Sequence, residues 1–166
     1  MSRTHLIAFA KKLTGTVAAT LILVSVASSA DTQSPFVGKW VVDIARSTFE
    51  PAQPPKSNTV TVTEVSGGGL HTVVEIVEAD GSNTHMEYTI PLGGTKATPV
   101  SGTEYADSIS ATYPSARTIK YSLSKSGAVI ETGTLTVSKS GSTMQGTLSG
   151  TYQNVPWKDH FVYHRQ

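Results

Sequence analysis

Leu70-His71-Thr72-Val73-Val74-Glu75-Ile76-Val77-Glu78-Ala79-Asp80-Gly81-Ser82-Asn83-Thr84-His85-Met86-Glu87-Tyr88-Thr89-Ile90 holds two alternating runs joined at one glycine turn. Alternation of apolar and polar residues is the period of a half-buried strand. Ala79-Asp80-Gly81 fits a three-residue hairpin loop, a type I turn followed by glycine in the left-handed conformation. That loop pairs Glu78 with Ser82, sets Val74 opposite Met86 and sets Thr72 opposite Tyr88. One face then carries Leu70, Thr72, Val74, Ile76, Met86, Tyr88 and Ile90. The other carries His71, Glu75, His85 and Glu87, with Glu75 opposite His85. A two-residue loop would mix apolar and charged residues on both faces, which a half-buried sheet disfavours.

The same period extends in both directions. Strands are expected at 36–44, 59–63, 70–78, 84–90, 95–99, 107–113, 118–124, 129–137, 143–151 and 159–165. Glycine turns separate many of them, at Gly67-Gly68-Gly69, Asp80-Gly81, Gly93-Gly94, Ser126-Gly127 and Ser140-Gly141. Only Ala45 to Glu50 reads as a helical turn, ended by Pro51. A three-residue loop at Lys125-Ser126-Gly127 pairs Leu123 with Val129 and Tyr121 with Glu131. Its apolar face holds Ile119, Tyr121, Leu123, Val129, Leu135 and Val137, and Glu131 falls among them. The turn at Lys139-Ser140-Gly141 leaves two registers open, Val137 opposite Thr143 or opposite Met144. A run of hairpins without helical crossovers implies an all-β, antiparallel fold. Closure into an up-and-down barrel of about eight to ten strands removes its edges. A two-sheet sandwich is the alternative.

The chain has 166 residues, no cysteine, 13 Lys and Arg against 12 Asp and Glu, and 15% charged residues. One domain with a full core fits that length. A net charge of +1 is too small for a nucleic-acid footprint. Without cysteine there is no disulfide framework, thiol nucleophile or thiolate metal site. Residues 1–30 read as a secretory signal peptide: Arg3, Lys11 and Lys12 precede an apolar run around Leu21-Ile22-Leu23-Val24, then Ala27-Ser28-Ser29-Ala30. The run is too short and interrupted to span a bilayer well. The expected mature domain is 31–166, acidic on balance, exported to the periplasm or the medium, with no membrane span after cleavage.

Phe36-Val37-Gly38-Lys39-Trp40 places Gly-x-Trp at the start of the first expected strand. This resembles the lipocalin and fatty-acid-binding-protein (calycin) superfamily. The resemblance implies that Gly38 and Trp40 close a barrel floor under a basic residue near the end of the last strand, here Arg165. Small exported bacterial proteins described as lipocalin-like are more similar still. They share segments like Ala45-Arg46-Ser47-Thr48-Phe49-Glu50-Pro51, Pro54-Pro55-Lys56-Ser57, His85-Met86-Glu87-Tyr88 and Pro99-Val100-Ser101-Gly102. The similarity covers nearly all of Phe36 to Gln166. It departs at Met86, where a tryptophan is common, and at Thr134 and Leu135, where a basic pair is common. An anion-binding role of that pair does not carry over.

His160 and His164 have a spacing that binds metal on a helix, but on a strand it spans about 13 Å, too far for one ion. No metal or other cofactor is expected. His71, His85, Glu75 and Glu87 read as a solvated outer-face cluster worth under ~1 kcal/mol per pair. Tyr88, Tyr113 and Tyr121 fall on apolar faces, each expected to pair its hydroxyl. Glu131 beside Tyr121 is open to two readings. Desolvated, its pKa rises, and it orients a ligand or acts as a base. Near a strand end, it simply reaches water.

The leading expectation is a barrel whose lumen holds a small, mostly apolar molecule, lined by Val74, Ile76, Met86, Tyr88, Ile119, Tyr121 and Glu131. Two alternatives stand beside it. One is a barrel enzyme of isomerase or cyclase type using Glu131. The other is a packed, non-enzymatic envelope or inhibitor module. No nucleic-acid partner is expected, and oligomeric state is not legible.

Overall fold

The computed structural model describes residues 33–152 and 154–166. The expected signal peptide lies outside them. The strands are β1 (Gly38–Val42), β2 (Thr48–Glu50), β3 (Ser57–Glu64), β4 (Gly69–Val77), β5 (Asn83–Pro91), β6 (Thr98–Ser101), β7 (Ser108–Ser115), β8 (Thr118–Lys125), β9 (Ala128–Val137), β10 (Thr143–Tyr152) and β11 (Val155–Arg165). Their order is β1-β3-β4-β5-β6-β7-β8-β9-β10-β11, and β11 pairs back onto β1. All these pairings are antiparallel. The sheet therefore closes as an up-and-down barrel, and the sandwich alternative falls. β2 lies outside the ring and pairs with β11 beyond the end of β1.

The β4–β5 hairpin has the register its turn dictates. Glu78 N–H donates to the Ser82 carbonyl at 2.8 Å, and Gly81 has a φ of 92°. Val74 faces Met86, Thr72 faces Tyr88 and Glu75 faces His85. Leu70, Thr72, Val74 and Ile90 are buried, while Glu75 and His85 are exposed. On the outer face Glu87 lies 3.3 Å from His71 and 3.7 Å from His85. These groups are well solvated, so the contacts contribute little.

The β8–β9 hairpin differs from expectation. Ser126 and Gly127 both take positive φ, 50° and 80°, and form a two-residue turn that pairs Lys125 with Ala128. This is the primed turn that suits strand twist. A register shift then sets Leu123 opposite Glu131 and Tyr121 opposite Gly133. Val129, expected on the inner face, is 61% exposed. The extra residue of the bulge restores the inward set beyond it, so Glu131, Leu135 and Val137 keep the expected face. At the next turn Val137 lies opposite Met144, the longer of the two open registers.

Between β1 and β2 stands one turn of 3₁₀ helix, Ile44–Arg46. The Asp43 carboxylate caps it by accepting from Arg46 N–H, and the Ser47 hydroxyl accepts from Val162 N–H at 3.0 Å. The helical turn expected over Ala45 to Glu50 is thus shorter and earlier. The rest pairs with β11 as β2, which gives those backbone groups partners.

One end of the barrel is sealed. Trp40 is fully buried and its indole N–H donates to the Phe36 carbonyl at 2.8 Å. The Arg165 guanidinium lies 4.3 Å from the Trp40 ring. It donates to the carbonyls of Gly141, Pro35 and Val37. Gly38 has a φ of 137°, and a Cβ there would stand 2.8 Å from Arg165 Nη1. A side chain would displace the clamp, so glycine is required on both counts. Among the described residues no helix is long and apolar enough to cross a membrane.

Candidate functional site

The opposite end encloses a cavity of about 550 Å³. That size suits a small-molecule site. The interior is hollow at this end rather than fully packed. Alternate residues of β4, β5, β8, β9 and β11 face inward and line it, because side chains on a strand point to one face every second residue. Val74, Ile76, Met86, Tyr88, Tyr121 and Glu131 are among them. Ile119 is not: it is 4% exposed, and its cross-strand partner Leu135 is the residue that reaches the cavity. The face it occupies is the expected one. Periodicity carries no information about how far the hollow extends. Phe49 of β2 and the following Ala52, Gln53 and Pro55 cover part of the rim. Phe49 is held there edge-on to Phe161, with ring centroids 5.2 Å apart.

Glu131 is the polar centre. It is only 6% exposed. Tyr121 donates to its Oε1 at 2.6 Å and Tyr105 to its Oε2 at 3.1 Å. Burial raises its pKa above the usual carboxylate value, the two tyrosine bonds oppose that, and the nearby Asp159 charge adds to the rise. Burial likewise raises both tyrosine hydroxyls, with the Glu131 charge adding to it. Asp159 is half-buried on the same wall, and burial raises its carboxyl too. It accepts from Glu50 N–H at 3.2 Å, which fixes β2 to β11. Glu131 is thus buried and hydrogen-bonded rather than reaching water near a strand end.

Asn58, Asp159 and Tyr105 are among the lining residues that the sequence does not place in the site. Asn58 and Asp159 extend alternations already visible, Asn58-Val60-Val62 and Asp159-Phe161-Tyr163. Continuing the period would have found them. Tyr105 lies between β6 and β7, where no period exists. Tyr113 departs from expectation in another way: its buried hydroxyl has no hydrogen-bond partner. His160 lies on β11, and no group of three or more metal-ligating side chains occurs among the described residues. His164 instead meets the Asp43 carboxylate at 2.9 Å, which lowers the Asp43 pKa.

No protein-family profile matches the chain. No curated protein matches it either. Among solved structures it is similar to one described as "The Siderocalin Ex-FABP functions through dual ligand specificities", with 8% identity and a TM-score of 0.42 over 80% of this chain and 75% of that one. Those specificities belong to that protein. The fold here stands on the strand order, the β1–β11 closure and the Trp40–Arg165 floor. The barrel is lipocalin-like. Its open end is the candidate ligand site.

Proposed function

We propose that this lipocalin-like barrel is an exported protein that binds a small, mostly apolar molecule in its lumen. The cavity carries the reading: largely apolar walls, with a few polar groups gathered around Glu131, are the usual make-up of a small-molecule site. Val74, Ile76, Met86, Tyr88 and Tyr121 would supply apolar contact at roughly 25 cal/mol per Å² buried. Glu131 would orient the polar part. The composition of residues 1–30 supports export.

Native mass spectrometry of the protein purified without detergent tests the reading. A bound small mass, released on denaturation and lost in Val74→Trp, is the expected result. A bare mass, with no binding by any apolar probe added afterwards, overturns it. The same spectrum reads the N-terminus, which is expected at Asp31.

A second reading, a barrel enzyme, draws on the buried Glu131 between two tyrosine donors. A carboxyl with a raised pKa is suited to proton transfer. Conversion of the identified ligand by the wild type and not by Glu131→Gln would favour it.

A further inference from the structure

The lumen's charge is one-sided. Three carboxyl side chains line the cavity, Glu78, Glu131 and Asp159, and among the described residues no Lys, Arg or His does. A carboxylate removed from water is stable only with compensation, and a hydrogen-bonded opposite charge compensates best. Tyr105 and Tyr121 each use one oxygen of Glu131. A carboxylate has about four acceptor positions, so two remain.

An independent observation points the same way. Asn58 lines the same cavity at 3% exposure, and its Oδ1 has no hydrogen-bond partner. A buried acceptor left without a donor is costly. The Asn58 side chain also bonds Tyr163, and a donor on a ligand would satisfy the Oδ1 that remains open. An ammonium has three donors and no acceptor, and it suits carboxylates and an amide oxygen together. Tyr88, Trp157 and Phe161 are among the lining residues, and aromatic rings attract cations. A fatty acid offers the reverse: its carboxylate would meet like charge and find no base.

We propose that the lumen ligand is an organic cation, an ammonium group on an apolar body, with Glu131, Asp159 and the Asn58 amide oxygen holding the charged end. This rests on the lumen-binding reading and names its ligand class. Desolvation supports it, since burial already raises both carboxyls and a bound cation relieves that penalty.

Calorimetric titration at neutral pH with decylamine, decanol and decanoate, each below its micelle concentration, tests the proposal. The three share a chain and differ in head-group charge. Decylamine is expected to bind at least about tenfold more tightly than decanol, a difference of ~1.4 kcal/mol, with decanoate weakest. In Glu131→Gln and in Asp159→Asn, each checked for folding by circular dichroism, the ratio of amine to alcohol affinity is expected to fall towards one. Decanol or decanoate binding as tightly as the amine overturns the cation proposal and leaves lumen binding standing. An amine preference undiminished in both variants overturns the assignment to these carboxylates. No binding by any of the three, or binding that persists in Val74→Trp, overturns the lumen reading and this proposal with it.

Discussion

The ring of Tyr121 lies over the bare backbone of Gly133, its cross-strand partner. A Cβ at Gly133 would stand 2.6 Å from the tyrosine oxygen and closer still to the ring carbons. The absence of a side chain on β9 thus lets a side chain of β8 lie flat and reach Glu131. Gly133→Ala should lift the ring, break the bond to the carboxylate and cost about 1–3 kcal/mol as an overpacked contact. Urea unfolding of Gly133→Ala, Tyr121→Phe and the double variant reads it. The two changes should be strongly non-additive, since both remove the same bond. Additive losses would mean that Gly133 does not act through Tyr121.

Glu131 should shape the pH dependence of stability. Its folded pKa lies above the ordinary value of 4.5. A group whose pKa folding raises favours the folded state most when protonated. That contribution is complete below the unfolded pKa and is lost as pH rises through the folded one. Asp159 acts in the same direction, so wild type alone cannot separate them. The difference between wild type and Glu131→Gln can. It should move in favour of the glutamine variant as pH is raised from about 4 towards neutrality. Denaturant midpoints across that range measure it, and a flat difference would leave Glu131 unperturbed by folding.

The sealed end should behave as one clamp. Trp40→Ala removes a fully buried indole and should cost about 3–5 kcal/mol. Arg165→Lys keeps the charge but not the planar fork that reaches three carbonyls and stacks on the ring. It should lose about 1–3 kcal/mol in thermal or chemical unfolding, because carbonyls are left without donors. A lysine variant as stable as wild type would show that charge alone suffices.

Val74→Trp and Ile76→Trp should fill the cavity from the β4 wall. Both side chains line it. The fold should survive with a modest change in stability, because empty space takes up the added volume. Loss of uptake of a fluorescent apolar probe, with an unchanged far-ultraviolet spectrum, is the expected outcome. Uptake that persists in both variants would place the probe outside the barrel.

These residues also show what the chain reveals before it folds. The β4–β5 hairpin was fully legible because the loop length and the faces constrain each other: only one register separates charge from apolar groups. At β8–β9 that constraint was weaker. Ser126-Gly127 admitted more than one turn, and the bulge beyond it shifted the pairs while restoring the inward face. Hence the sequence sets Glu131 on the inward face but opposite Tyr121 rather than Leu123, and sets Val129 inward where the structure exposes it. Tyr105 was invisible because it approaches Glu131 from a connection rather than a strand. Ile119 shows the last gap: alternation tells inside from outside, but not which part of the inside stays hollow.

One seam of the ring joins strands from opposite ends of the domain. From β3 to β11 each strand joins its successor in sequence, and β10 meets β11 through ten residue pairs. β1 and β11 are far apart in sequence and share three pairs, against two each at β5–β6 and β6–β7. Loop closure makes that junction the entropically expensive one. Beyond the three pairs, Asp43 N–H and Gln166 N–H donate across it to the Val162 and Lys39 carbonyls. Trp40 and Arg165 are themselves one of those three pairs, so the side chains that seal the floor also join the first strand to the last. The floor is thus a latch: opened at that junction, the barrel becomes a sheet of hairpins with its other ladders intact.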